Sequence, residues 1–128
     1  MLILAIVVAA VAAFVVSSIY YSLATPLERR ALGDAAVDRG RPAPWKVVTE
    51  LARTAVVAGG FAWIAQRGSD SGLADALLLA VVVWLAFPVT LLTGSVIWER
   101  VPPVTAAIHA GDWLLKLVLI AVALGLLH

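Results

Sequence analysis

The chain has 128 residues, of which 63% are hydrophobic and 13% charged, and its mean hydropathy is +1.05. Soluble domains average about 45–50% apolar and about 25% charged residues, so both values favour a membrane protein over a soluble domain. The net charge of +1 gives no reason to expect a nucleic-acid partner, and the absence of cysteine excludes disulfides and thiolate metal sites.

The first transmembrane helix is predicted over residues 2–22. The run from Met1 to Val16 is almost wholly apolar, and it lacks the preceding Lys or Arg that a cleavable signal peptide would carry. We therefore expect a retained helix. Tyr20 and Tyr21 would then lie at the water interface, where amphipathic aromatic rings are enriched.

Residues 23–44 form the one long polar segment and are predicted to be a cytoplasmic amphipathic loop. Within it, residues 27–37 have the pattern of a short helix lying on the membrane, with Thr25 as its N-cap and Pro26 in its first turn. Four arginines of this segment could meet anionic lipid headgroups: Arg29, Arg30, Arg39 and Arg41.

Three more apolar stretches predict transmembrane helices at residues 45–66, 73–98 and 104–127. Pro88 lies inside the third stretch and is expected to kink it, because proline removes a helical hydrogen bond. The predicted fold is therefore an all-α, integral membrane four-helix bundle, with residues 1–128 forming a single four-span domain.

The basic residues predict the topology. The second loop contains only Arg67 and the third loop Arg100, whereas the first loop and its flank contain five basic residues: Arg29, Arg30, Arg39, Arg41 and Lys46. Cytoplasmic loops carry the excess of Lys and Arg, so loops one and three should face the cytoplasm and both termini should face outward.

The last predicted span carries a polar stripe. At about 100° per residue, Thr105, His109, Asp112 and Lys116 fall within an arc of roughly 60° on one helix face. A rise of about 1.5 Å per residue places Lys116 roughly 18 Å from the helix start, near the midplane of a core about 30 Å thick. A charge facing lipid at that depth costs at least about 2.5–3.5 kcal/mol, so the stripe should face the bundle interior.

Glu50 and Arg53 enter the second span from the same side, and we predict one interior cluster with Asp112, Lys116 and His109. Its formal charges cancel, and Ser17 and Tyr21 of the first helix could supply hydroxyl partners. Two interpretations remain open. The charges could be neutralised pairs that hold helices together, or they could line a cavity that binds a small ion, protons or a polar headgroup.

Catalytic motifs are missing from the sequence. There is no HExxH, GxSxG, P-loop or dinucleotide-binding turn, so we predict neither an enzyme nor a cofactor. His109 and Asp112 share a helix face, but a zinc or iron site would need at least a third ligand from Glu50 or Glu99, and no metal is predicted.

Three stretches resemble the bacterial membrane-protein family catalogued as domain of unknown function 1761. They are Ile19-Tyr20-Tyr21-Ser22, Trp84-Leu85-Ala86-Phe87-Pro88, and the closing segment Ala107-Ile108-His109-Ala110-Gly111-Asp112-Trp113-Leu114-Leu115-Lys116. The chain lacks the proline that tends to follow the first motif directly in that family. The resemblance implies a compact four-helix integral membrane protein and brings no established activity or functional residues.

The leading functional hypothesis is a small, self-associating, multi-pass protein of the bacterial cytoplasmic (inner) membrane. In this hypothesis a homo-oligomer forms a minimal transporter or channel for an ion or small polar solute along the buried stripe. The alternatives are an accessory subunit that docks a larger membrane complex, or a lipid-binding membrane protein that uses the loop arginines.

Overall fold

The computed structural model describes residues 2–35, 43–68 and 72–127, and every regular element in this part of the chain is helical. The elements are α1 (Leu2–Leu32), α2 (Pro44–Arg67), α3 (Leu73–Trp84), α4 (Thr90–Trp98) and α5 (Pro103–Leu127). A 3-10 turn, Gly33–Ala35, follows α1, and a π-helical turn, Leu85–Val89, joins α3 to α4. Four helical stretches in these residues are long and apolar enough to cross a membrane, with α3 and α4 forming one of them. The chain is therefore a multi-pass membrane protein with an all-α, four-helix architecture, as predicted.

The first helix is longer than its predicted span. It continues to Leu32, so residues 23–32 are helical and belong to α1 instead of a loop. The prediction of a separate surface helix beginning at residue 27 is corrected in the same way. Residues 36–42, which include Arg39 and Arg41 of the predicted loop, lie outside the described residues.

The extension of α1 includes Pro26, which usually breaks a helix because it lacks an N–H group. Thr25 does not cap a new helix here. Its hydroxyl donates to the carbonyl oxygen of Tyr21 at 2.6 Å, as an interior helical threonine commonly does. The turns around the proline also bury Ala24 and Glu28. We attribute the continuity of α1 to this packing, which offsets the lost hydrogen bond.

Helix α5 is the centre of the bundle. Helices α1 and α3 pack along it, while α2 packs mainly against α1 and more lightly against α5. The apolar core lies between the first half of α1, the second halves of α2 and α5, and α3. Its buried members are Ala5, Ala9, Ala58, Phe61, Ala62, Ala80, Leu117, Ile120, Ala121, Ala123 and Leu124. Alanine dominates this set, and such small side chains let helix backbones approach closely in lipid.

The third span is interrupted where the sequence predicts a kink. Pro88 lies in the π-helical turn Leu85–Val89, a local geometry that accommodates a missing N–H. The Thr90 hydroxyl donates to the carbonyl oxygen of Leu85 at 2.9 Å and so satisfies an acceptor within the interrupted turn. The π turn lies outside the polar region described next.

Candidate functional site

A polar cleft occupies the half of the bundle opposite the apolar core. Its cavity of about 560 Å³ lies between α1, α2 and α5. Because α1 ends, and α2 and α5 begin, on the same side of the bundle, the cleft is nearest to the α1–α2 connection. We call it the charged cleft, and its lining residues are Phe14, Ser17, Ser18, Tyr21, Ser22, Thr25, Glu50, Arg53, His109, Asp112, Trp113 and Lys116.

Asp112 is the innermost carboxylate of the charged cleft. One of its oxygens accepts a hydrogen bond from the Ser17 hydroxyl of α1 at 2.5 Å. The other lies 3.0 Å from the Lys116 ammonium, one turn further along α5. Both Asp112 and Lys116 are almost fully buried. This pairing is therefore necessary, because an unpaired buried charge is strongly destabilising.

Lys116 connects the carboxylate of α5 to that of α2. Its Nζ lies 2.7 Å from Oε1 of Glu50 and 4.8 Å from the ring centroid of Trp113, a cation–π distance. The second Glu50 oxygen, Oε2, accepts from Arg53 Nη1 at 2.8 Å. The result is a chain of alternating charges in the order Asp112, Lys116, Glu50, Arg53.

Helical spacing explains how the sequence builds this chain of charges. Asp112 and Lys116 are four residues apart on α5, and Glu50 and Arg53 are three apart on α2, so each pair lies on one helix face. The bond between Lys116 and Glu50 joins the two helices. The two acidic and two basic groups balance, so the cluster adds no net formal charge to the membrane interior.

A second polar contact lies beside the charges. The Tyr21 hydroxyl and Nδ1 of His109 are 2.6 Å apart, and their ring centroids are 5.8 Å apart. His109 thus meets α1 through Tyr21, and its bonding role depends on the imidazole tautomer. It lines the same cavity as Asp112 and Lys116.

Tyr20 links α1 to α5 through a hydrogen bond next to the cleft. Its hydroxyl donates to the carbonyl oxygen of Ile108 at 2.8 Å. This approach requires Gly111, because a Cβ atom at that position would lie 2.3 Å from the Tyr20 hydroxyl oxygen. From the other side of α5, the indole N–H of Trp84 donates to the carbonyl oxygen of Ala110 at 2.8 Å. Helix α5 is therefore held by an aromatic donor on each side at the level of the cleft.

The structure brings together most of the residues that the sequence singled out. Seven of them line the charged cleft: Ser17, Tyr21, Glu50, Arg53, His109, Asp112 and Lys116. Thr105, on the same predicted stripe, is buried elsewhere, and its hydroxyl has no hydrogen-bond partner among the described residues. Arg29 and Arg30 are exposed at the end of α1, and Pro88 is in the π turn.

Three features of this region were not foreseen from the sequence. The first is the Tyr20–Gly111 contact, which depends on an exact helix-to-helix distance. The second is the cation–π contact of Trp113 with Lys116. The third is Glu28, which is fully buried. Helical periodicity carried a signal for Glu28, because it falls on the same face of α1 as Ser17 and Tyr21 when the helix is continued.

The possible metal ligands of the described residues were compared for grouping in space. Within residues 2–35, 43–68 and 72–127, no three His, Cys, Asp or Glu side chains are grouped so that they could hold a metal ion. The cleft offers hydrogen-bond donors, acceptors and paired charges around an open cavity.

Comparison with known protein families identifies the family of this chain. Residues 4–125 match the family described as "Protein of unknown function (DUF1761)". The chain belongs to this family. Comparisons with curated proteins and with solved structures find no match. Membership in DUF1761 confirms the resemblance predicted from the sequence and assigns no activity to the charged cleft.

Proposed function

We propose that this protein passes an ion or small polar solute through the bacterial cytoplasmic membrane, as a self-associating minimal transporter or channel. The observation that supports this proposal is the continuous chain of alternating charges from Asp112 to Arg53 along the open cleft between α1, α2 and α5. Ionisable groups at membrane depth are rare and mark ion pathways and substrate sites.

The open cavity favours this function over a purely structural role. Neutralised pairs that only hold helices together need no space beside them, whereas these charges border an open cleft of about 560 Å³. The Arg53 side chain is 59% exposed, while those of Asp112 and Lys116 are 4% and 5% exposed. The charges thus run from a sealed interior to an accessible mouth.

Self-association is proposed because one copy does not close the cleft. Ser18, Ser22 and Arg53 line it and are all exposed. A second copy in a symmetric homo-oligomer would supply the missing wall. Mass measurement of the protein purified in mild detergent tests this directly. A homogeneous oligomer supports the proposal, whereas a lone monomer contradicts it and a large co-purifying partner favours the accessory-subunit alternative.

The orientation is proposed from the basic side chains. Arg29, Arg30, Lys46 and Arg100 all lie on the side of the bundle that holds the α1–α2 connection, and this side should be cytoplasmic. The chain has no cysteine, so single-cysteine variants can report the orientation without background. An impermeant maleimide should label Gly68→Cys in intact cells and Asp34→Cys only after the membrane is opened. The reverse pattern would overturn the assignment.

Flux in proteoliposomes tests the central proposal. Wild-type protein should carry a proton or monovalent-cation flux that is lost in Asp112→Asn and in the charge-balanced double variant Asp112→Asn/Lys116→Met. Asp75→Asn is the matched control, because Asp75 is an exposed carboxylate in the first turn of α3, outside the charged cleft. If flux persists in the folded double variant, or is absent from the wild type, the pathway is rejected. The charges would then only hold the helices together.

A further inference from the structure

The accessible charge at the mouth of the cleft is cationic. Glu50 is 28% exposed, and its two oxygens are each bound to a cation, Lys116 on one side and Arg53 on the other. Arg53 is more than half exposed, and one of its five N–H groups donates to Glu50. The group that an approaching ligand meets first is therefore a guanidinium, and most of its N–H donors are not bonded to Glu50.

The α1 wall of the cleft offers acceptors instead. The hydroxyls of Ser18, Ser22 and Thr25 each donate to a carbonyl oxygen four residues earlier in α1, at 2.8, 2.9 and 2.6 Å. Their protons are thus used within the helix, and their oxygen lone pairs remain as acceptors. A ligand that fits both walls carries an anionic group for Arg53 and hydroxyl or ammonium donors for α1.

The depth of Arg53 suits a lipid headgroup. Its backbone lies about 14 Å along α2 from Pro44, but its guanidinium is bonded to Glu50, which is only six residues, or about 9 Å, from that end of the helix. The polar interfacial layer is roughly 5–8 Å thick on each side of the hydrocarbon core, and a long arginine side chain can extend toward it. Exposed Arg29, Arg30 and Lys46 on the same side would concentrate anionic lipids in that leaflet.

We propose that the mouth of the charged cleft binds a phosphate ester that carries hydroxyl donors, as in the headgroup of phosphatidylglycerol. Arg53 binds the phosphate, for which its planar fork is suited. Ser18 and Ser22 accept from the headgroup hydroxyls. Behind Arg53, Glu50 and Asp112 already bind the Lys116 ammonium, so this cation is not offered to the phosphate and the headgroup stays at the mouth. This inference rests on the cleft being a ligand site, as in the proposed function, but it requires no flux.

Native mass spectrometry of the full-length protein in detergent measures this binding directly. We expect phosphatidylglycerol to bind at least about tenfold more tightly than phosphatidylcholine. Arg53→Gln should remove that preference, and Arg53→Lys should keep part of it because the charge remains. Arg67→Gln is the matched control, since it removes the same charge at the opposite end of α2. Equal binding of both lipids, or equal losses in Arg53→Gln and Arg67→Gln, would overturn the proposal.

Two further measurements identify the source of the phosphate and the role of the hydroxyls. Binding of soluble glycerol 3-phosphate with the same Arg53 dependence, and without a lipid preference, would assign the site to a free phosphate ester. Ser18→Ala/Ser22→Ala should lower the preference for phosphatidylglycerol over phosphatidic acid, which lacks headgroup hydroxyls. An unchanged ratio would contradict the acceptor role of α1.

Failure of this inference can be told apart from failure of the proposed function. If wild type shows the lipid preference but no flux, the pathway is rejected and the headgroup site stands. If wild type shows flux but Arg53→Gln leaves lipid binding unchanged, the pathway stands and the headgroup site is rejected.

Discussion

The two halves of α5 are held in the bundle by different forces. Its second half, around Leu117 and Ile120, packs against alanine-rich faces of α1, α2 and α3. Its first half, around Asp112 and Lys116, is held by a few directional contacts to α1 and α2. In lipid no hydrophobic driving force brings helices together, so the apolar half depends on close fit alone. Side-chain size therefore governs one half of α5, and the pairing of charges and hydrogen bonds governs the other.

Substitution of Lys116 should destabilise the bundle more than any other change at the polar half of α5. Lys116→Met keeps the length of the side chain but leaves buried Asp112 without its cation. Breaking one partner of a buried ion pair costs about 3–5 kcal/mol, so we expect a large fall in the thermal unfolding midpoint in detergent. Circular dichroism measures that midpoint.

The control for this experiment is the charge-balanced double variant. Adding Asp112→Asn to Lys116→Met removes the uncompensated carboxylate, and Glu50 keeps its bond to Arg53. The double variant should therefore recover most of the lost stability. If it is no more stable than Lys116→Met alone, pairing does not govern this half of the bundle.

Enlarging a buried alanine should destabilise the apolar half of the bundle by steric overpacking. Ala9 has no exposed surface, and Ala9→Leu adds three carbon atoms to a tight interface. Overpacking of this kind costs about 1–3 kcal/mol. Val11→Leu on the exposed face of the same helix is the control and should be near neutral. Equal midpoints for both variants, measured by circular dichroism, would show that the interface is not limited by size.

The sequence predicted much of this arrangement because two simple regularities govern it. Runs of apolar residues as long as a bilayer is thick marked the four spans, and membrane exclusion of water leaves little choice but helices. The 100° turn of the helix then placed Asp112 and Lys116 on one face, and the cost of a lipid-facing charge pointed that face inward. Glu50 followed as a partner because it enters from the same side.

The rest depended on contacts that one helix cannot reveal. Pro26 and the polar residues around it indicated a loop, but burial of Glu28 and Ala24 keeps α1 helical there. The distance between α1 and α5 at Gly111 is set by the whole interface, and no local pattern encodes the Tyr20 contact. His109 was expected among the charges and Tyr21 as a hydroxyl partner of that cluster, but the direct contact between these two side chains depends on the relative rotation of two helices.

At Gly111 the close approach of α1 and α5 depends both on the missing side chain and on the Tyr20 hydrogen bond. In Gly111→Ala the new Cβ atom would displace the Tyr20 hydroxyl, which can swing away at the cost of its bond to the Ile108 carbonyl. We expect a loss of about 1 kcal/mol, close to one net hydrogen bond. In a Tyr20→Phe background the same substitution should cost less, because the displaced atom is already gone. A double-mutant cycle of thermal midpoints tests this, and full additivity would contradict it.

The smallest expected effect comes from Tyr21→Phe, which removes the hydroxyl that meets Nδ1 of His109 and keeps the ring contact. Interhelical hydrogen bonds in membranes average about 0.6 kcal/mol and reach about 1.7, since the unfolded helices also find partners in the membrane. We therefore expect a small drop in the unfolding midpoint. A loss above about 2 kcal/mol would exceed this range. It would mean that the Tyr21 hydroxyl supports the charges of the cleft as one cooperative network, so that the polar half could not be treated as separate pairs.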